Sequence, residues 1–305
     1  MKMHYQFSAP GRTEIGGNHT DHQHGCVLAA AVNLETLADV SLNESDMIWV
    51  QSEGYHAFGV DLTDLSVHEE EKNTTAALVR GVAAAFAQRG AKLRGFDMAV
   101  TSSVLPGSGL SSSAAFEVLV GTILNELFFD RKLSAIEIAQ FGQYAENVYF
   151  GKPCGLMDQM ASSVGGMVYI DFADPENPIV EKIDFDFQKE GYDLCIIDSG
   201  ADHADLTDEY AAITRELKEL CAFFGKEYLR QIPEAEFMAA LPTLRGKVSD
   251  RAILRAMHVY RENERVAAQC DALKTNDINS FLRLVTESGH SSWMYMQNIN
   301  PAGAV

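Results

Sequence analysis

The sequence predicts an α+β protein of two domains. Its 305 residues are enough for two domains of about 100–200 residues each. Short β-like segments alternate with helical patterns in the first half, whereas the pattern after about residue 198 is mostly helical. A boundary near Gln188–Gly191 separates the two patterns, so we expect one domain at residues 1–188 and a second at residues 189–305.

Each predicted element rests on its own periodicity and its own start and stop signals. The helix over Ser134–Phe150 begins with a capping box, Ser134-x-x-Glu137, and Gly90 ends the helix over Thr74–Arg89. We predict strands over Tyr5–Ser8, Val27–Val32, Ala38–Leu42, Phe96–Thr101, Met167–Phe172 and, as a buried strand, Tyr192–Asp198. We predict the other helices over Thr74–Arg89, Ser112–Leu127, Asp158–Ser163, Leu206–Phe224, Asp250–Lys274 and Ile278–Ser292.

Composition narrows the classes of partner. The net charge of −19 argues against nonspecific nucleic-acid binding, which depends on neutralising phosphates. No apolar run approaches the roughly 20 residues that a membrane helix needs. The five cysteines are scattered, with neither metal-ligand spacing nor a disulfide framework, and this fits a reducing cytoplasm. We therefore expect a cytoplasmic protein, a monomer, with small-molecule ligands and neither nucleic-acid nor membrane partners.

A glycine- and serine-rich loop stands where a strand pattern gives way to a helix. The stretch Leu105–Ala115 reads LPGSGLSSSAA. Glycines let backbone N–H groups approach a phosphate, and the helix N-terminus adds donors and a favourable dipole. The stretch has no Gly-Lys-Ser/Thr and is not a Walker A loop. The alternative is a flexible loop with a serine N-cap, although three consecutive serines exceed what one cap needs.

A second stretch, Ala9–Gly25, concentrates polar chemistry between two apolar segments. Arg12 can neutralise a carboxylate or phosphate. Asp21 can accept two hydroxyl hydrogen bonds, as sugar binding requires, and Asn18 and His19 can donate or accept. Two alternatives stay open at this point. One is a metal site built from the histidines and Asp21, which would need a special turn to make the side chains converge; the other is a polar surface loop.

A third stretch, Pro153–Ser162, places Asp158 in an apolar segment. A carboxylate among Leu156, Met157 and Met160 needs a partner, or its pKa rises. Arg12 is a candidate for that partner. The local pattern alone favours a simpler role, an N-cap aspartate for the helix that follows.

Together these three stretches resemble the galactokinases of the GHMP superfamily. The matching motifs are Gly-Arg through His-Thr-Asp, the loop Pro-x-Gly-x-Gly-Leu-Ser-Ser-Ser-Ala, and Cys-Gly-Leu-Met-Asp-Gln, in the order of the family. A weaker match runs from Asp198-Ser199 through His203, Leu206, Tyr210 and Arg215. The resemblance implies the two-domain GHMP kinase fold: an N-terminal α/β domain like domain 2 of ribosomal protein S5, a C-terminal ferredoxin-like α+β domain, and an active site between them.

The resemblance also implies an activity and a role for each matching residue. It implies ATP-dependent phosphorylation of the C1 hydroxyl of galactose. Asp158 would take or orient the proton of that hydroxyl, and Arg12 would hold Asp158 ionised. Ser113 and Glu117 would hold Mg²⁺. The ATP phosphates would contact Gly107, Ser108, Gly109, Leu110, Ser111, Ser112 and Ser113, and the sugar would contact Asn18, His19, Asp21, Gly155 and Tyr210.

This sequence departs from the family pattern at several places. Asn18 stands where the family usually has glutamate, and His22 where it usually has tyrosine. No glycine-rich third motif occurs after residue 200, so we expect the second domain to be incomplete. These departures keep two alternatives open: a kinase of a related sugar such as galacturonate or arabinose, and a kinase-like sugar sensor with weak catalysis.

Overall fold

The computed structural model describes residues 3–105, 107–197 and 207–300. Its strands are β1 (His4–Gly16), β2 (Cys26–Leu42), β3 (Met47–Ser52), β4 (Phe58–Asp61), β5 (Phe96–Ser102), β6 (Met167–Asp171) and β7 (Ile179–Ile183). Its α-helices are α1 (Thr75–Gln88), α2 (Ser112–Phe128), α3 (Ala135–Tyr144), α4 (Met157–Val164), α5 (Thr207–Phe223), α6 (Glu234–Leu244), α7 (Asp250–Lys274) and α8 (Ile278–Ser291).

The chain forms two compact units. The first comprises Met1–Thr13 and Ala30–Gly166, and the second comprises Glu14–Ala29 and Met167–Val305. Strands β1 and β2 therefore each contribute residues to both units. These units divide the chain after Thr13, Ala29 and Gly166, and the predicted domain boundary at residue 188 stays a prediction. The residues of β6 and β7 pack with α7 and α8, as the buried cluster of Cys26, Ile183, Val266 and Phe281 shows.

In the first unit, helices cover one face of a sheet. The strand order is β4-β3-β5-β2, with β1 paired to β2. The pair β2–β5 is antiparallel and the pair β3–β5 is parallel. The core joins side chains of the sheet such as Val40 and Met98 to helix residues such as Phe86 and Leu119. The glycine- and serine-rich loop identified in the sequence connects the end of β5 to the start of α2.

The second unit is mainly helical, with a short sheet. Strand β6 lies between β2 and β7, and β6 and β7 are antiparallel. A core of Leu217, Phe237, Val259 and Met296 packs α5, α6 and α7 together. Across the described ranges, no helix combines the length and the apolar character that crossing a membrane would require.

Several predicted elements are confirmed, and others are wrong. The capping box of Ser134 and Glu137 is present, but α3 ends at Tyr144 and continues as a π-helical turn, Ala145–Phe150. Residues 192–197 are exposed and form no strand, so the predicted buried strand is wrong over the residues described there. The apolar sequence of this segment could not by itself show that its side chains stay exposed. The sequence analysis also missed β3, β4, β7 and α6.

Candidate active site

Arg12 and Asp158 form the centre of the site in the first unit, although 146 residues separate them in sequence. Arg12 Nε donates to Asp158 Oδ1 at 2.7 Å, and Arg12 Nη2 donates to Asp158 Oδ2 at 2.8 Å. The two groups thus form a bidentate pair, the geometry that a guanidinium and a carboxylate favour. The predicted contact between Arg12 and Asp158 is confirmed.

The same guanidinium ties the glycine- and serine-rich loop to this pair. Arg12 Nη1 donates to the carbonyl oxygen of Gly109 at 2.6 Å, and Nη2 donates to Ser111 Oγ at 3.0 Å. The Ser111 hydroxyl in turn donates to Asp158 Oδ2. Because Ser111 makes this contact, its side chain does not cap α2. Arg12 therefore links the loop and the carboxylate in one hydrogen-bonded cluster.

Asp158 is ionised at neutral pH. Burial raises its pKa, but the charge of Arg12 and the hydrogen bonds from Arg12 and Ser111 outweigh burial and hold the pKa below its ordinary value. The side chain is still 31% exposed, so a ligand can reach it. The prediction of an N-cap role is wrong: Leu156 holds the N-cap of α4, and Asp158 lies in the first turn with its carboxylate directed to Arg12.

The loop before α2 has the backbone shape of an anion site. Gly107, Gly109 and Ser111 all have positive φ, at 75°, 77° and 57°. Ser112 and Ser113 begin α2, where the first N–H groups of a helix have no partner within it. The loop rests on β1, where Arg12 N donates to Leu110 O at 3.1 Å. A Cβ at Gly11 would lie 3.0 Å from Leu110 O, so any other residue here would require the loop or β1 to shift.

Glu117 on α2 and Glu146 in the π-helical turn after α3 form a pair of buried carboxylates that the sequence analysis did not bring together. Gln159 Nε2 donates to Glu117 Oε2 and to Glu146 Oε2, each at 2.9 Å. Burial and then the neighbouring Glu146 raise the pKa of Glu117 well above its ordinary value. Among the described residues, Glu117 Oε1 is a buried oxygen with no hydrogen-bond partner.

These oxygens fit a hard cation at the start of α2. Ser113 Oγ donates to Glu146 Oε1 at 3.4 Å, and hydroxyl and carboxylate oxygens are ligands that suit Mg²⁺. Glu117 lies one turn after Ser113, and Gln159 bridges it to Glu146. The predicted role of Glu117 as a metal ligand stays a prediction. The sequence analysis missed Glu146 because a glutamate in a helical pattern is usually exposed, and only the structure shows that this one is buried.

The part of the other polar stretch from Glu14 to Gly25 belongs to the second unit. Asn18 Nδ2 donates to Ser292 Oγ at 2.5 Å, and Asn298 Nδ2 donates to Asn18 Oδ1 at 3.5 Å. His258 Nε2 lies 3.0 Å from the carbonyl oxygen of Asn18. Residues near the C-terminus thus fix the position of the turn that carries Asn18. These residues belong to no motif that the sequence analysis identified.

His19 and Tyr210, both predicted to face the sugar, lie side by side. Their ring centroids are 5.5 Å apart. Burial, followed by the charges of His22, His258 and Arg255, lowers the pKa of His19 to about 3. The ring is therefore neutral at neutral pH and can both donate and accept a hydrogen bond. Tyr210 is 47% exposed.

Asp21 and Gly155 complete the predicted sugar set. Asp21 Oδ1 accepts from the backbone N–H of His22 at 2.8 Å. Gly155 lies in the first unit, in the loop before α4. Residues 198–206, which carry part of the weaker match, lie outside the described residues; Tyr210 and Arg215 lie on α5.

The histidines of this stretch do not converge on a metal. His24 stacks on Tyr228 with ring centroids 3.7 Å apart, whereas His19 contacts Tyr210. In the part of the chain that the structure describes, no three His, Cys, Asp or Glu side chains are grouped so that they could hold a metal ion. The alternative of a histidine metal site therefore has no support from the geometry.

Two family models match the residues that carry most of the predicted site side chains. Residues 77–166 match a family model described as the N-terminal domain of GHMP kinases, and residues 2–42 match the galactokinase galactose-binding signature. The galactokinase of Streptomyces coelicolor is 32% identical over 286 residues, which are 94% of this chain and 73% of that protein. The galactokinase of Thermotoga petrophila is 31% identical over 283 residues, 93% of this chain and 76% of that protein.

Solved structures agree on the fold. The Lactococcus lactis galactokinase, crystallised with galactose, has a TM-score of 0.79 at 23% identity and covers 96% of this chain and 76% of its own. A mevalonate kinase has a TM-score of 0.60 at 14% identity, over 94% of this chain and 78% of its own. These likenesses confirm the predicted two-domain α+β GHMP kinase fold. With the identity to curated relatives over nearly the whole chain, they establish that this chain belongs to the galactokinase family.

Proposed function

We propose that this chain transfers the γ-phosphoryl group of ATP to the C1 hydroxyl of galactose. The observation that carries the proposal is the cluster of Arg12, Asp158 and Ser111 at the N-terminus of α2. It combines an ionised carboxylate, a fixed guanidinium and a helix N-terminus, which are the groups that phosphoryl transfer requires for positioning and for charge stabilisation. The family to which the chain belongs supports the same reaction.

The carboxylate of Asp158 would orient the sugar hydroxyl and accept its proton. Because the pKa of Asp158 is held below its ordinary value, the carboxylate is a weak base. It would accept the proton only as the oxygen forms its bond to phosphorus and the hydroxyl becomes more acidic. Arg12 would keep Asp158 ionised and would stabilise the negative charge of the transferring group.

The loop from Gly107 to Ser113 would bind the phosphates of ATP. Its positive-φ glycines and the first turn of α2 supply backbone donors, as anion binding requires. Ser113 and Glu146 would hold Mg²⁺, with Glu117 behind them. When bound, Mg²⁺ would neutralise phosphate charge during transfer.

The turn of Asn18, His19 and Asp21, with Tyr210, would bind the sugar, together with Gly155. Amide, imidazole, carboxylate and phenol groups suit a ligand rich in hydroxyls. We further propose that the protein acts in the cytoplasm as a monomer, with small-molecule partners and no nucleic-acid or membrane partner. The acidic composition supports the expectation of no nucleic-acid partner, and the scattered cysteines support the cytoplasm.

The direct test is ADP release by the purified chain with Mg-ATP and a panel of sugars. We expect release with galactose and little with glucose, galacturonate, arabinose or no sugar. The variant Asp158→Asn should lose about 100-fold to 10,000-fold in turnover, the range that a positioned acid or base contributes. Asp130→Asn, at an 87% exposed carboxylate, is the matched control.

Each other outcome has a definite meaning. Equal turnover in Asp158→Asn would refute the catalytic role of Asp158. Release with galacturonate or arabinose alone would assign the chain to a related sugar. Of the two, the uncharged amide of Asn18 favours galacturonate, because it would not repel the carboxylate of that sugar. Tight binding of ATP and galactose without ADP release would indicate a sugar sensor.

A further inference from the structure

Lys152 places an ammonium group beside the start of α2. Its Nζ lies 3.4 Å from Glu146 Oε1, the same oxygen that accepts from Ser113 Oγ at 3.4 Å. The Lys152 side chain is 62% exposed, whereas that of Glu146 is 4% exposed. Lys152 therefore presents a positive charge to solvent at the edge of the proposed phosphate site.

The backbone holds Lys152 at this position. The π-helical turn Ala145–Phe150 ends at Gly151, which has a φ of 87°. The N–H groups of Gly151 and Lys152 donate to the carbonyl oxygen of Glu146 at 3.0 and 3.1 Å. The chain thus doubles back on Glu146, and the side chains of Lys152 and Glu146 meet because their backbones already do. Because the backbone of Lys152 is held in this way, only its side chain must be ordered when it binds an anion.

The charge of Lys152 also reaches Asp158. Burial raises the pKa of Asp158, whereas Arg12, Ser111 and then Lys152 lower it. Lys152 is thus close enough to act on Asp158 electrostatically, and it approaches Asp158 from an element other than the one that carries Arg12. An ammonium has three donors, and the contact with Glu146 uses one of them.

We propose that Lys152 is a substrate-contacting residue that binds the β- and γ-phosphates of the nucleotide. The inference rests on the proposed function, since it assigns a further residue to the same site. A flexible ammonium on an exposed stem is suited to following a phosphate that changes position during transfer. The helix N-terminus and Arg12 supply fixed donors, and Lys152 supplies a movable one.

The test compares nucleotide binding by the unaltered chain and by Lys152→Met, using calorimetry with ATP, ADP and AMP. We expect the Kd for ATP and ADP to rise about tenfold, the effect of losing one charge-assisted hydrogen bond that solvent partly screens. The Kd for AMP should change less than about twofold, since AMP lacks the phosphates concerned. Lys152→Arg should retain most of the affinity because it keeps the charge.

The matched control is Lys132→Met, which removes an ammonium of similar exposure, 60%, and should leave every affinity unchanged. Unchanged ATP affinity in Lys152→Met, or an equal loss for AMP, would overturn the proposal. Failure of the unaltered chain to bind ATP would overturn both proposals. ATP binding without galactose-dependent ADP release would refute the proposed function alone, since phosphate binding by Lys152 would still be measured.

Discussion

Replacing Arg12 by lysine separates the charge of this residue from its geometry. The guanidinium donates two hydrogen bonds to Asp158, one to Gly109 O and one to Ser111 Oγ. A lysine ammonium keeps the charge, but it cannot reproduce a planar fork that contacts three groups at once. We therefore expect Arg12→Lys to lose the bidentate pair and the tie to the loop.

The magnitude follows from the contacts that are lost. A hydrogen bond between charged groups contributes about 1.5–3 kcal/mol. The side chains are partly exposed, 14% for Arg12 and 31% for Asp158, so the lower end of that range applies. A loss of about 2 kcal/mol from the transition state corresponds to roughly 30-fold in kcat/KM. Steady-state ADP release with galactose measures it, and Arg89→Lys, at an exposed arginine that pairs with Glu137, is the control.

The pH profile gives a second readout of the same change. Arg12 lowers the pKa of Asp158 in the folded protein, so the active, ionised form is present above that pKa and is lost as the pH falls through it. In Arg12→Met, burial acts unopposed by that charge, and the acid limb of kcat/KM should move to higher pH. An unchanged acid limb in Arg12→Met, together with unchanged kcat/KM in Arg12→Lys, would refute the reasoning.

Two further substitutions test contacts that stabilise the loop before α2 and the helices of the second unit. Gly11→Ala would place a Cβ 3.0 Å from Leu110 O and from Val104 Cγ1. We expect a loss of about 1–3 kcal/mol in the free energy of unfolding and a higher KM for ATP, because the loop must move away from β1. An unchanged KM for ATP would contradict this prediction. Glu216→Ala would remove the carboxylate that pairs with Arg255, whose side chain is 1% exposed, at 2.9 Å. Urea unfolding should show a loss of about 3–5 kcal/mol, the cost of leaving a buried charge unpaired. Glu219→Ala, at an exposed position on the same helix, should change the free energy of unfolding by less than about 0.5 kcal/mol.

Local sequence predicted the elements whose signals are themselves local. The capping box of Ser134 and Glu137, the helix α2 after the serine run and the helix α7 over Asp250–Lys274 all formed as expected. Their hydrogen bonds and periodicity lie within a few residues of chain. The backbone shape of the glycine-rich loop could likewise be predicted, because positive φ and a following helix are encoded locally.

Only the tertiary structure decided which polar residues meet. The local pattern of Asp158 favoured a cap, but its contact with Arg12 depends on α4 packing against β1, where Ser162 Oγ donates to Pro10 O at 2.7 Å. Residues 192–197 have the composition of a buried strand and are exposed. Glu146 became part of the site because folding buried it in the π-helical turn that follows α3. Sequence determined the residues and their local geometry, whereas burial and long-range pairing depended on neighbours distant in the chain, because desolvation and charge act through space.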